Sequence, residues 1–365
     1  MAHQLFSPAR LGQLTLTNHL VMAPMTRNRA TTDHLPTDSM ATYYAQRATA
    51  GLIISEGVAP SLNGEGYARI PGIGSPEQVE RWKPVTAAVH ERGGKIFVQL
   101  MHTGRISHPL NMREGAQIVA PSAVAAAGDI YTDQQGMQPH PTPAEMTTDE
   151  LKQTVAEFVT AARNAIEAGF DGVELHAANG YLLEQFIAPN TNQRTDAYGG
   201  SIENRSRFVL DVVDAVGAAI GFERVGIRLS PYGVFNDIHP YAETDATYQY
   251  LADALNRAGV VYIHLVDHTS MGAPAVPVSI VDAIRERFAG TLILSGGYDA
   301  ERAEAALQAG KADLVAFGRP FISNPDLVER LQTGAELTPP DYMTFYTPGE
   351  TGYTDYPALP ATQQA

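Results

Sequence analysis

The sequence predicts an α/β fold, a single (β/α)8 TIM barrel that spans residues 1–365 as one domain. Three observations predict it. Eight short apolar runs alternate in strict order with amphipathic helical stretches. Most of the runs are apolar on both faces, as strands are when helices cover one side and a barrel interior the other. A doubly wound sheet would place a glycine fingerprint after its first strand. Here the first run continues into APMTRNRA, which has none.

The strand candidates are HLVMAP (19–24), GLIISEG (51–57), KIFVQLMH (95–102), GVELHA (172–177), VGIRLS (225–230), VVYIHLV (260–266), TLILSGG (291–297) and LVAFGR (314–319). Helical stretches follow the first strand (TDSMATYYAQRA) and the second (SPEQVERWKPVTAAVHERG). Others precede the fourth (TTDELKQTVAEFVTAARNAIEAG), the fifth (SIENRSRFVLDVVDAVGAAIG) and the sixth (TYQYLADALNRAG). VSIVDAIRERFAG, DAERAEAALQAGKA and NPDLVERLQTG complete the set. Helix starts are marked by a capping residue ahead of an acid or amide, at Ser75-Pro76-Glu77-Gln78 and Thr148-Asp149-Glu150. Helix ends are marked by Gly93, Gly169, Gly259 and Gly310, which tolerate the left-handed terminal conformation.

Two segments fall outside this repeat. Residues 11–20 (LGQLTLTNHL) read as a short N-terminal β-hairpin lid with its turn at Thr17-Asn18, closing the barrel's bottom. Residues 103–147, rich in Pro, Gly, Gln and Thr, form a long loop after strand 3. A loop of that length at that place is expected over the catalytic face.

Composition narrows the function. A formal charge of −15 makes nucleic acid and anionic membranes poor partners for the surface as a whole. With no cysteine, disulfides, thiolate metal sites, Fe–S clusters and cysteine nucleophiles are excluded, and no metal is expected. The opening residues lack the basic-then-apolar layout of a signal peptide, and no apolar run reaches the ~18 residues that span a bilayer. A cytoplasmic location is the expectation.

A barrel enzyme keeps its active site at the carboxyl ends of the strands. The polar residues there are Thr26, Gln99, His102, His176, Asn179, Tyr181, Arg228 and Arg319, with Gly296, Gly297 and Gly318. Neither a G-x-S-x-G nucleophile elbow nor the H-x-H opening of metal-dependent barrel hydrolases is present. SGGYDAERAE puts two glycines before a helix, and FGRPF puts Gly318 and Arg319 after strand 8. This pattern suits a phosphate, which backbone N–H groups, a helix dipole and an arginine can hold together. The alternative is that the glycines only relieve crowding and Arg319 makes a surface ion pair.

Arg228 lies in an otherwise apolar strand and has two readings. It could be neutralised by Glu174 across the barrel. It could instead stand beside an electron-rich ring, where with Gln99 it would suit the pyrimidine edge of a flavin. HAANGY brings His176, Asn179 and Tyr181 within six residues of a strand end. His176 and Asn179 can donate to one oxygen, as an oxyanion hole does. Tyr181, with an ordinary phenol pKa near 10, would serve as a general acid.

At these residues the chain resembles the Old Yellow Enzyme family of flavin ene-reductases, especially its bacterial branch that reduces enals, maleimides and nitro-esters. The resemblance runs nearly end to end. It covers LFSPARLG, NHLVMAPMTRNRA, YYAQRATAGLIISEG, VQLMHTGRISH, GFDGVELHAANGYLLEQFIAPNTNQRTDAYGGSIENR, AFGRPFISNPDL and the tail GYTDYP.

It implies tightly bound, non-covalent FMN, with NAD(P)H as co-substrate and small electrophilic alkenes as substrates, in a monomer or small homo-oligomer. Pro24, Met25 and Thr26 would contact the isoalloxazine, with Thr26 on the C4 carbonyl. Gly57, Gln99 and Arg228 would hold the pyrimidine side, and Gly296, Gly297, Gly318 and Arg319 the phosphate. His176 and Asn179 would bind the substrate's electron-withdrawing oxygen. Tyr67, Met101 and Tyr346 would line the pocket. The implied reaction is ping-pong: hydride passes from NAD(P)H to FMN, then from FMN N5 to the substrate β-carbon, while Tyr181 protonates the α-carbon.

Three departures stand out. Gly57 replaces the family's frequent Ala, Met101 replaces Trp or Phe, and the donor pair is His/Asn where some bacterial relatives have His/His. An FMN-dependent barrel oxidase and a non-catalytic flavin-binding protein are the alternative functions. The first would want a histidine base and an arginine pair, which the Asn-x-Tyr pairing fits poorly. The second would lack a polarising pair.

Overall fold

The eight apolar runs become eight parallel strands that close on themselves. In the computed structural model, which describes residues 4–360, the strands are Leu20–Met22, Leu52–Val58, Ile96–Leu100, Gly172–Ala177, Val225–Leu229, Tyr262–Val266, Thr291–Ser295 and Leu314–Phe317. Each pairs with the next, and the eighth closes on the first through Val315↔Leu20, so the barrel has no free edge. This is the (β/α)8 TIM barrel that the alternation predicts.

Two apolar layers hold it. Inside the barrel Val21, Ala23, Leu52, Ile54, Phe97, Tyr262, Ile293, Leu314 and Ala316 form one cluster. Gly172 and Gly226 make room for the large rings of that cluster. A Cβ at Gly172 would lie 2.5 Å from the Phe97 ring, and one at Gly226 2.1 Å from the Tyr262 ring. The outer layer lies between strands and helices and includes Trp82, Phe158, Phe186 and Phe208, all fully buried.

The N-terminal hairpin plugs the barrel's amino end, since Ala9, Leu11 and Leu16 belong to the interior cluster. Its turn differs from expectation. Ala9–Leu11 pairs with Leu14–Leu16 around Gly12-Gln13, where Gly12 has φ +55°, and not around Thr17-Asn18. Asn18 has other work. Its Oδ1 accepts the N–H groups of Leu20 and Gly51, and its Nδ2 donates to the Thr49 carbonyl, so it fixes the start of the first barrel strand. A polar Thr-Asn pair suits either use, and long-range partners decide between them.

The helices follow their caps. Ser75 and Gln78 form a reciprocal capping box, as expected. In the next box the cap is Thr147 with Glu150, one residue before the expected Thr148. Gly93, Gly169, Gly259 and Gly310 all have positive φ. The helix before the sixth strand starts at Thr244, three residues earlier than its apolar period indicates. Two short helices, Leu182–Ile187 and Arg319–Ser323, follow directly on the HAANGY and FGR segments. The stretch 103–147 carries structure of its own: Asp129–Thr132 and Gly136–Pro139 form a hairpin, and Val119–Ala120 pairs with Ala144–Glu145. Among the described residues, no helix is long and apolar enough to cross a membrane.

Candidate active site

Toward the carboxyl ends of the strands the barrel interior turns polar. Glu174 lies at its centre, fully buried, and accepts from Gln99 Nε2 at 2.8 Å and Tyr262 Oη at 3.0 Å. His264 Nδ1 meets it at 2.9 Å, and His264 Nε2 lies 3.0 Å from Ser295 Oγ. Burial pushes the Glu174 carboxyl up, but His264, Arg228 and Gln99 outweigh that and hold it below the usual carboxylate range.

Arg228 pairs in register with His176 on one side and His264 on the other. Among the described contacts it has no ion pair with Glu174, whose oxygens are taken by Gln99, Tyr262 and His264. Its buried Nε has no hydrogen-bond partner at all. A buried guanidinium N–H without an acceptor is costly unless a ligand supplies one. This orphan fits the pyrimidine edge of a flavin, and Gln99, paired in register with Gly57, lies at the same end of the barrel. One Gln99 N–H is already committed to Glu174.

The fourth strand ends in the turn that carries His176, Asn179 and Tyr181. His176 is 3% exposed, and its Nδ1 has no partner. Burial, then the neighbouring Arg228, His264 and His268, push it well below the usual imidazole range, so the ring is neutral at pH 7. Its ring meets Tyr181 edge-on at 4.9 Å. Tyr181 donates to the Tyr67 hydroxyl at 3.2 Å. Burial raises the Tyr181 pKa, and the Asn236 hydrogen bond only partly offsets that. Asn179 has a left-handed backbone, φ +59°, and a buried Oδ1 with no partner. His102, also at this end, is held neutral with its pKa lowered by burial to about 3, its Nδ1 accepting the Gly104 N–H.

Tyr67, Met101 and Tyr181 share one apolar cluster with Ala59, Ile70, Ile106 and Ala126. The two departures at positions 57 and 101 prove to be one. A Cβ on Gly57 would lie 2.5 Å from Met101 Sδ, so Met101 fills the space that an alanine would need. Gly57→Ala should cost about 1–3 kcal/mol while Met101 is present, and clearly less once Met101→Ala has emptied the space. Thermal unfolding of the four-member cycle measures this, and equal costs in both backgrounds would contradict the coupling.

Tyr346 stands apart, 59% exposed, on a C-terminal segment clamped by arginines the sequence reading did not single out. Arg27 donates to the carbonyls of Phe345 and Gly352, and Arg29 to those of Thr344, Gly349 and Thr351. Arg69 donates to the Tyr346 carbonyl at 2.9 Å, to the Asn28 carbonyl, and pairs with Asp133 of the long-loop hairpin. The segment is thus tied directly to two loops of the mouth, and through Arg69 to the long loop. Tyr346 still raises the pKa of both Tyr67 and Tyr181, so it belongs to the same electrostatic neighbourhood.

The ends of the seventh, eighth and first strands make the other half. Gly296 has φ +129° and Gly297 φ +62°. Cβ atoms there would meet the Asp267 carbonyl at 2.3 Å and Ser270 Cβ at 2.9 Å, so chain packing alone demands both glycines. Gly318 differs. A Cβ there would meet nothing nearer than Met25 Sδ at 3.7 Å, so crowding does not explain it, and the space beside it is open. Arg319 opens the short helix beside it and is exposed. Arg302, missed in the sequence, donates to the carbonyls of Gly296 and Gly297 at 3.2 and 3.3 Å. Pro24 is buried, while Met25 and Thr26 are half-buried on the adjoining loop. Among the described residues, no cluster of His, Asp or Glu is placed to hold a metal ion.

Known proteins carry the same arrangement of chain. Residues 4–338 match the family model described as "NADH:flavin oxidoreductase / NADH oxidase family". A "probable flavin mononucleotide-dependent alkene reductase" of Leishmania infantum is 44% identical over 360 residues, covering 97% of each chain. 12-oxophytodienoate reductase 1 of Oryza sativa is 43% identical over 361 residues, covering 97% of this chain and 93% of its own. Among solved structures, morphinone reductase in complex with tetrahydroNAD superposes with a TM-score of 0.94, 47% identity and full coverage of both chains. The Old Yellow Enzyme homologue of Zymomonas mobilis gives 0.93 at 44% identity, covering 98% of this chain and 100% of that one.

Proposed function

The chain belongs to the NADH:flavin oxidoreductase / NADH oxidase family, and from that premise we propose that it reduces carbon–carbon double bonds activated by a carbonyl or nitro group, using His176, Asn179 and Tyr181. The family membership already makes it an FMN-dependent, NAD(P)H-consuming oxidoreductase of the alkene-reductase type. The finer reading rests on one observation: a neutral histidine with an unpartnered Nδ1, an asparagine and a protonated tyrosine converge at one barrel mouth.

Bound FMN supplies hydride relay between NAD(P)H and alkene; the rest is work for the chain. Arg228, Gln99 and Gly57 would hold the pyrimidine edge. Pro24, Met25 and Thr26 would contact the ring system. Gly296, Gly297, Gly318, Arg319 and Arg302 would hold the phosphate. His176 and Asn179 would each donate to the substrate oxygen and stabilise the charge that builds there as the β-carbon accepts hydride. Tyr181, kept protonated by burial, would pass its hydroxyl proton to the α-carbon. Met101, Tyr67 and Tyr346 would shape the space for the alkene, an enone, enal, maleimide or nitro compound.

Steady-state turnover over a panel of enones, maleimides and nitro-esters tests this. One equivalent of NADPH or NADH should be consumed per alkene reduced, and a panel in which no alkene turns over would refute the reading. The phosphate seat has its own check. Heat should release one flavin per chain, with its phosphate attached, and Arg319→Ala should weaken its retention. The wild-type protein should melt higher with FMN than without it, by mass action. Riboflavin or FAD in place of FMN would contradict the roles of Gly318 and Arg319.

A further inference from the structure

No bond through Oδ1 holds the Asn179 side chain, since that oxygen is buried without a partner. Its direction is set by the backbone beneath it. That backbone is unusual: Asn179 and Gly180 are consecutive left-handed residues, with φ +59° and +76°. Such a conformation costs free energy for a non-glycine residue and persists only where its surroundings enforce it. It also leaves two successive N–H groups in need of acceptors, an arrangement that favours an anion.

Here the chain supplies the acceptor itself. Glu184, in the short helix Leu182–Ile187, is 1% exposed. Its Oε2 accepts the Gly180 N–H at 2.6 Å, and its Oε1 accepts the Ser230 hydroxyl at 2.6 Å and the Tyr248 hydroxyl at 3.1 Å. Ser230 Oγ in turn accepts the Asn179 N–H at 3.0 Å. The carboxylate therefore engages both N–H groups of the turn, one directly and one through Ser230. From the far side Asn236 Nδ2 donates to the Asn179 carbonyl at 2.7 Å. Burial pushes Glu184 up to about 7, against the pull of the bonds from Ser230, Gly180 and Tyr248.

We infer that Glu184, acting through Ser230 and the Gly180 N–H, is the positioning residue that fixes Asn179 for its substrate oxygen. The inference rests on the donor-pair reading above. Glu184, 1% exposed, acts through the groups it holds, Gly180, Ser230 and Tyr248. Its effect is confined to what Asn179 does, and this separates it from a residue that merely supports the fold.

The test is a double-variant cycle read by phenol binding to the oxidised holoenzyme, followed through the long-wavelength absorbance of phenolate over the flavin. Glu184→Ala should weaken phenol by about tenfold or more in the wild-type background, the worth of a charge-assisted hydrogen bond. In the Asn179→Ala background the same change should weaken it less than about twofold. Glu184→Gln, which keeps one carbonyl acceptor for the Gly180 N–H, should fall between. If Glu184→Ala does not fold, Ser230→Ala, which removes the acceptor of the Asn179 N–H, should show the same background dependence. Equal losses in both backgrounds, or unchanged affinity, would overturn the inference while leaving the donor pair intact. A wild-type enzyme that binds no phenolate would overturn the donor-pair reading and this inference with it.

Discussion

Tyr181→Phe should separate the two halves of the catalytic cycle. The substitution removes one hydroxyl, the one that donates to Tyr67 at 3.2 Å, and keeps the ring against His176. Bleaching of the enzyme by NADPH requires no proton at a substrate carbon and should stay within a few-fold of wild type. Reoxidation by cyclohexenone does require one, because hydride addition at the β-carbon leaves an enolate. That rate should fall by roughly 10²–10⁴, the usual worth of a positioned general acid. Nitroalkenes should lose much less, since the nitronate is stable enough to leave and be protonated in water. An acid works only while protonated, so its rate is lost as pH rises through its pKa. With the Tyr181 pKa raised above 10 by burial, the wild-type enone rate should show no falling limb below about pH 10. Rapid mixing decides: equal losses in both half-reactions would make Tyr181 a shaping residue and not the donor.

The double variant His176→Ala, Asn179→Ala should be the other severe lesion. On the proposed reading each side chain donates to the same substrate oxygen, and loss of a single such donor costs about 10²–10³ in rate. Enone turnover should fall at least that far, with the two effects short of additive because both act on one charge. Binding gives an independent view. Simple phenols should bind wild-type enzyme as phenolates, with an apparent pKa below the solution value and a long-wavelength charge-transfer band. The double variant should lose most of that band. A band that survives at equal affinity would mean that His176 and Asn179 do not form the oxyanion site.

The barrel was legible because its signal is spread over hundreds of residues. Eight apolar runs, and glycines such as Gly259 at helix ends, all point to one architecture, and no single misreading can undo it. The misplaced hairpin turn shows the limit. Gly12-Gln13 and Thr17-Asn18 are both competent turns locally, and the choice between them is made by Thr49 and Gly51, more than thirty residues away.

The turn that brings His176, Asn179 and Tyr181 together was legible because the three are close in sequence. What supports it was not. Glu184 reads as an ordinary helical acid until Ser230 and Tyr248 fold against it from other elements. Arg27, Arg29 and Arg69 grip backbone carbonyls, and a carbonyl has no residue type to read. The paired departures at Gly57 and Met101 were visible singly, but their compensation is a contact between neighbouring strands. Gly318 illustrates the converse. Sequence treats it like Gly296 and Gly297, while the structure shows that only the latter two are demanded by crowding.

On the proposed function, one barrel mouth takes electrons from NAD(P)H and delivers them to an activated alkene. Anaerobic mixing of the purified, FMN-loaded protein with one equivalent of NADPH, followed by excess cyclohexenone, tests this most directly. The flavin absorbance should bleach on the first addition and return on the second, with cyclohexanone formed in equal amount. Bleaching that cyclohexenone leaves unreversed, while oxygen restores the colour, would contradict the alkene reductase and leave a flavin oxidase in its place.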